Sequence, residues 1–192
     1  MKGAVLYYDG FTEFEVVIAC GNIATLGDGK GEIVAVALEN RPYRSEEKQR
    51  FLPDKTIDNL NADDVDVFLI PGGDITPIID DPRLKKLLTA LNEKNKVIGA
   101  ICGGVNILGY TGLLESRRFT CSAAGYPPDR ETLAKYFKDC IYVDNDVVVD
   151  DNIITAQGQA FIEFGVEIAQ KMGFYRDEQE RERDYKWIKN LK

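Results

Sequence analysis

The chain has 192 residues, 44% of them hydrophobic and 29% charged, with a formal charge of -8, four cysteines and no histidine. Those figures exclude a collagen, a disordered tail and a disulfide-stapled mini-protein, and an acidic surface is the wrong partner for a nucleic-acid backbone. Without histidine, every imidazole-dependent zinc site and every nucleophile-His-Asp triad is excluded as well.

Short apolar runs alternate with amphipathic stretches, the pattern of βα units around a largely parallel sheet covered on both faces. Ala4 to Tyr8 is predicted as a buried strand, followed by a helix from Glu13 to Leu26 with Phe14, Val17, Ile18 and Gly21 on one face. Gly27-Asp28-Gly29-Lys30-Gly31 follows a helix instead of a strand, so it fails the dinucleotide-binding test and is read as a turn. Ile33 to Leu38 is the second strand, and Arg41 to Asp58 is charged and irregular, with an extended piece near Phe51. Val65 to Ile70 is the third strand and ends in Pro71-Gly72-Gly73-Asp74; a helix from Pro82 to Asn95 then leads to a fourth strand, Val97 to Ile101.

Cys102-Gly103-Gly104 opens a helix from Val105 to about Tyr110. Arg118 to Cys121 is expected as a strand, Arg130 to Phe137 as a helix, and Val147–Val149 with Ile153–Thr155 as a strand pair joined by Asp150-Asp151-Asn152. Phe161 to Met172 is an amphipathic helix, and a charged helix over about 176–192 carries a narrow stripe in which Asp184 pairs with Ile188 and Trp187 with Leu191. No linker or repeat interrupts the chain, so residues 1–192 are expected to form a single domain. No run is long enough for a membrane span or a signal h-region, and Cys20, Cys102, Cys121 and Cys140 form no CxxC pair. A cytoplasmic protein with reduced thiols and no membrane partner is expected, and no motif supports a metal or cofactor.

The sharpest local feature is Val97-Ile98-Gly99-Ala100-Ile101-Cys102-Gly103-Gly104-Val105. Strand, tight turn and helix make a nucleophile elbow, with the reactive side chain on a strained turn and N–H groups behind it for an anion. The helix N-terminus favours thiolate, so a depressed Cys102 pKa is expected; the plain alternative is a small hydrophobe closing a core strand. Pro71-Gly72-Gly73-Asp74 falls at the same sheet edge, where it either turns bare amides toward an oxyanion or only ends the strand. Glu15, early in the first helix, either points at that edge, where an ionised carboxylate would repel a thiolate and a protonated carboxyl would donate to sulfur, or is a solvated first-turn acid.

Glu15, Pro71-Gly72-Gly73, Ala100-Ile101-Cys102-Gly103-Gly104 and Thr155-Ala156-Gln157-Gly158, in that order, resemble one family. The chain is similar over about residues 2 to 173 to the superfamily of PfpI intracellular proteases and the Parkinson-disease protein deglycase, related in fold to class I glutamine amidotransferases. The resemblance implies a flavodoxin-like three-layer α/β sandwich and a homodimer. It also implies that Cys102 is a nucleophilic, easily oxidised cysteine, that Glu15 is its protonated acid, and that the Gly72, Gly73 and Gly103 amides serve an oxyanion.

Many family members place a histidine where this chain has Phe119-Thr120-Cys121-Ser122-Ala123-Ala124, with Ser122 at the imidazole position. A serine hydroxyl is no general base near neutrality, so a Cys-His peptidase is disfavoured and Glu15 is left as the proton shuttle. The leading expectation is a small-molecule enzyme whose Cys102 thiolate adds to an electrophilic carbon of an aldehyde, dicarbonyl or isocyanide-like substrate. The alternatives are an oxidative-stress sensor acting through oxidation of Cys102, with Cys121 as a resolving thiol, and a binding module with an inert cysteine. Asp74, Cys121 and Ser122 are the accessory candidates.

Overall fold

Runs buried along their whole length have no solvent face to give, so they lie inside a sheet covered on both sides. The computed structural model describes residues 1–26, 30–122 and 130–191. Its strands are β1 (Lys2–Tyr7), β2 (Glu32–Ala37), β3 (Tyr43–Arg44), β4 (Arg50–Phe51), β5 (Lys55–Thr56), β6 (Val67–Ile70), β7 (Val97–Ile101), β8 (Arg118–Phe119), β9 (Ile141–Tyr142), β10 (Val147–Asp150) and β11 (Ile153–Ala156). Its α-helices are α1 (Phe14–Thr25), α2 (Pro82–Glu93), α3 (Val105–Thr111), α4 (Arg130–Tyr136), α5 (Phe161–Lys171) and α6 (Glu178–Ile188).

Seven strands form the central sheet in the order β10-β11-β7-β6-β1-β2-β5. Every neighbouring pair is parallel except β10 with β11, a hairpin whose register sets Val147 opposite Ala156. Alternation of side chains divides the core in two. Leu6, Phe68, Ile70 and Ile98 pack under the helices α2 and α3, and Val5, Leu69, Val97 and Ile101 pack under α1 and α5. The α2 helix shows why these sequences fold as they do: Asp81 caps it by accepting from the Arg83 N–H, Pro82 occupies its first turn, and Leu84, Leu87, Leu88 and Leu91 make its buried stripe. On the other face, a Cβ at Gly99 would stand 2.7 Å from Ile168 Cδ1 and 2.8 Å from Phe164 Cζ, so this glycine in β7 lets α5 sit directly on the sheet.

Four expectations change. The α1 helix buries Glu15, Val16, Ala19, Asn22 and Ile23, leaving Phe14 43% and Val17 51% exposed, because Val16, Ala19 and Ile23 are the residues that turn onto Val5, Val67 and Leu69 of the sheet. The close approach of α5 falls at Gly165, where a Cβ would lie 2.5 Å from Ile18 Cγ2, and Asn22 Nδ2 donates to Gly165 O at 3.1 Å. The stretch 41–58 has the extended piece near Phe51, as β4, but more regular structure than expected: β3 pairs antiparallel with β4, and β5 adds an edge to the sheet. The 118–121 strand shrinks to β8, which pairs with β9 outside the main sheet. The C-terminal stripe also rotates: Tyr185 and Ile188 pack on Val166, Ala169 and Tyr175, and Trp187 (79%) and Leu191 (53%) face outward. Of the expected turn at 27–31, residues 27–29 lie outside the described residues.

Candidate active site

The strands β11, β7, β6 and β1 are consecutive in the sheet and parallel, so their C-terminal ends deliver four chain segments to one edge. The β7 strand delivers Cys102, β6 delivers Pro71-Gly72-Gly73, β11 delivers Gln157-Gly158, and β1 leads through Tyr8 into α1 with Glu15. Cys102 has φ +55°, the left-handed backbone that the elbow predicts and that costs a side-chain-bearing residue about 1 kcal/mol or more. The two glycines after it leave room for the turn. A Cβ at Gly104 would lie 2.5 Å from Pro71 O, and one at Gly103 would lie 2.8 Å from Gly73 O.

Glu15 is 3% exposed and is held by the Gly72 N–H, which donates to its Oε2 at 2.7 Å. Its carboxyl and the Cys102 thiol are neighbours, both lying against Gly72 and Gly158. Two glycines close around this pair. A Cβ at Gly72 would come within 2.6 Å of both Cys102 Cβ and Glu15 Oε2, and a Cβ at Gly158 within 2.9 Å of Glu15 Oε1 and 3.1 Å of Cys102 Sγ. Sequence reasoning placed Gly158 in the family-like stretch without a role; its function is to bring bare backbone against sulfur and carboxyl together.

Burial pushes the Glu15 pKa from 4.5 up to about 7, against the Gly72 N–H and the thiol, which favour the ionised form. Cys102 departs from expectation. Burial first, then the Glu15 charge, pushes its thiol from 9.0 up to about 12, and the Gly103 N–H that donates to its sulfur pulls only partly the other way. Burial, and next to it the adjacent carboxylate, outweigh the helix-terminus effect that favours thiolate. Protonating Glu15 removes that charge and supplies a donor in its place, so the state of the acid bears directly on the thiol.

The remaining candidates are distributed unevenly. The Gly72 N–H is engaged by Glu15, which removes it from the expected oxyanion donors, and in this state the Gly103 N–H faces sulfur. Gly73 (φ +112°) bridges Phe11, but the two hydrogen bonds of that bridge, Thr12 N–H to Gly72 O and Asp74 N–H to Gly10 O, leave its own N–H out. Asp74 is exposed and accepts from the Thr76 N–H at 3.1 Å, a local turn contact. Ser122 Oγ accepts from the Gly158 N–H at 2.8 Å, so the residue at the imidazole position reaches the pair only through Gly158; Ala123 and Ala124 lie outside the described residues. Cys121 is fully buried in the α2/α3 layer, whereas Cys102 packs against the α1/α5 layer, which takes from Cys121 the access a resolving thiol needs. Tyr8, read only as the end of a strand, is fully buried beneath Pro71 and Gly72.

A family model described as the DJ-1/PfpI family matches residues 1–171. The uncharacterized protease YoaZ of Bacillus subtilis (strain 168) is 32% identical over 124 residues, which are 64% of this chain and 58% of YoaZ. The glutathione-independent glyoxalase DJR-1.2 of Caenorhabditis elegans is 26% identical over 162 residues, 83% of this chain and 82% of that protein. In structure, the DJ-1 superfamily protein Atu0886 from Agrobacterium tumefaciens superposes with a TM-score of 0.81 at 24% identity, covering 98% of this chain and 97% of the other, a likeness of fold.

Proposed function

The chain belongs to the DJ-1/PfpI family, and from that premise we propose that it is a cysteine-dependent small-molecule enzyme acting on an electrophilic carbon of the aldehyde, dicarbonyl or isocyanide-like class. The observation that carries this reading is the placement of the buried Glu15 carboxyl and the Cys102 sulfur together against Gly72 and Gly158, where burial raises the carboxyl to about 7. A carboxyl that titrates near neutrality can take the thiol proton as sulfur attacks and return it afterwards. On a carbonyl the S–C bond forms, the π electron pair moves to oxygen, and the proton held by Glu15 neutralises it; on an isocyanide the same proton goes to the attacked carbon. The Gly73 N–H, outside the local bridge, is the amide best placed to stabilise the charge developing on a carbonyl oxygen.

The glyoxalase DJR-1.2 is named for dicarbonyl chemistry, and that supports placing small dicarbonyls first among the substrates. YoaZ is named a protease, but these 192 residues hold no histidine to act as the base of a Cys-His pair. A thiol raised to about 12 limits oxidation at rest as much as it limits unassisted attack on carbon, so either reading needs Glu15 to take the thiol proton. We extend the proposal to a single-domain, cytoplasmic homodimer, on the family's pattern.

The test is turnover by purified chain on a panel of small dicarbonyls, aldehydes and isocyanides. Cys102→Ser is expected to lower kcat/KM by at least 10³-fold, roughly the loss of a nucleophile. Activity surviving that substitution sinks the proposal.

A further inference from the structure

Tyr8 is 1% exposed, and its hydroxyl lies 2.7 Å from Gly72 O and 2.8 Å from Pro71 O. Those two carbonyls belong to consecutive peptide planes. In a trans peptide the C=O and the N–H are fixed on opposite sides of one rigid plane, so whatever holds the oxygen also aims the hydrogen. Pro71 O shares its plane with the Gly72 N–H, which donates to Glu15 Oε2 at 2.7 Å. Gly72 O shares its plane with the Gly73 N–H.

A single phenol proton, divided between the two carbonyls, therefore sets the direction of both amides. Thr12 N–H steadies the second plane by donating to Gly72 O at 2.8 Å. The arrangement needs a hydroxyl and not merely a ring, since phenylalanine would fill the same space and leave the carbonyls without this donor. Hydrogen bonds in series polarise one another, so the phenol also strengthens both N–H groups as donors. Burial and the nearby Glu15 charge push the Tyr8 pKa well above 10, so the phenol stays a donor wherever Glu15 titrates.

We infer that Tyr8 is a positioning residue, whose hydroxyl fixes the Pro71–Gly72 and Gly72–Gly73 peptides so that one N–H holds Glu15 and the next meets the substrate oxyanion. The inference rests on the proposed roles of Cys102 and Glu15. It extends them to a residue whose hydroxyl is bonded to two backbone carbonyls and to neither the thiol nor the acid.

The experiment compares the native chain, Tyr8→Phe and Glu15→Gln, following the rate of Cys102 alkylation by iodoacetamide against pH, turnover of a small dicarbonyl, and the melting temperature. In the native chain the alkylation profile should show a step near pH 7 that vanishes in Glu15→Gln. With Tyr8→Phe the Gly72 N–H becomes a weaker donor to the carboxylate, so the step should move up by about 0.5 pH units or more. kcat should fall roughly tenfold, with KM changed less than about twofold, because the Gly73 amide acts on charge that develops only during reaction. If the native profile has no step, or keeps it in Glu15→Gln, the pair reading fails and this inference fails with it. A Glu15-dependent step that stays in place in Tyr8→Phe, with kcat unchanged, overturns the Tyr8 role alone, even if the melting temperature drops. Should Tyr8→Phe fold poorly, the native chain labelled at tyrosine 13Cζ still decides: the Tyr8 resonance should shift with the Glu15 step, and a flat resonance overturns the inference.

Discussion

The Glu15 carboxyl is bound to a backbone amide and lies beside a thiol in a place water barely reaches, so its ionisation is set against the fold. Its folded pKa of about 7 lies above the 4.5 of an open chain, which means the folded state binds the proton more tightly. The contribution to stability is complete below about pH 4.5 and is lost as the pH rises through about 7. At 1.36 kcal/mol per unit the loss is roughly 3 kcal/mol at most. Glu15→Gln keeps the shape and removes the charge, so denaturant unfolding should show the variant gaining on the native chain between pH 5 and pH 8. An equal difference at both pH values would show that the carboxyl does not titrate in this window.

At the scale of elements, the site is made by where helices and turns begin. Gly158 opens the short turn that leads from β11 into α5, with no unusual backbone angle to forbid a side chain; what forbids one is the pair of groups in front of it. Because the Gly72 N–H pins Glu15, the alanine methyl of Gly158→Ala must wedge between carboxyl and sulfur. The expected result is at least a tenfold loss of kcat with a destabilisation of about 1–3 kcal/mol, read by turnover and melting. Full activity would mean that the thiol–acid contact is dispensable. The elements that could be read from sequence were those with local signals, such as the all-apolar β6 and β7, the capped α2 and the strand-Cys-Gly-Gly elbow. The α1 face could not be read that way. Phe14 and Val17 look like its core stripe, but which side is buried was decided by Val67 and Leu69 of the sheet and Phe164 and Ile168 of α5, all far along the chain. Tyr8 and Gly158 escaped for the same reason, since their partners lie on other strands.

Across the whole molecule, a charge of -8 sets the terms on which two copies can meet. Long-range repulsion between like-charged copies is screened within about 10 Å at 0.1 M salt, so the proposed homodimer should tighten as salt rises. Sedimentation of the 21.5 kDa chain at low and moderate salt tests this, and a monomer at micromolar concentration in both would overturn it. Among the described residues no helix is long and apolar enough to cross a membrane.

The carboxyl at 15, the thiol at 102 and the glycine at 158 meet only after almost the entire sheet has closed. A chain emerging from the ribosome thus carries Cys102 long before the strand that leads to Gly158 exists. During that interval the thiol lacks its final enclosure. The same long-range closure that builds the acid–thiol pair therefore makes its assembly a late step of folding, and capture of Cys102 by an alkylating agent would report when the last strand docks.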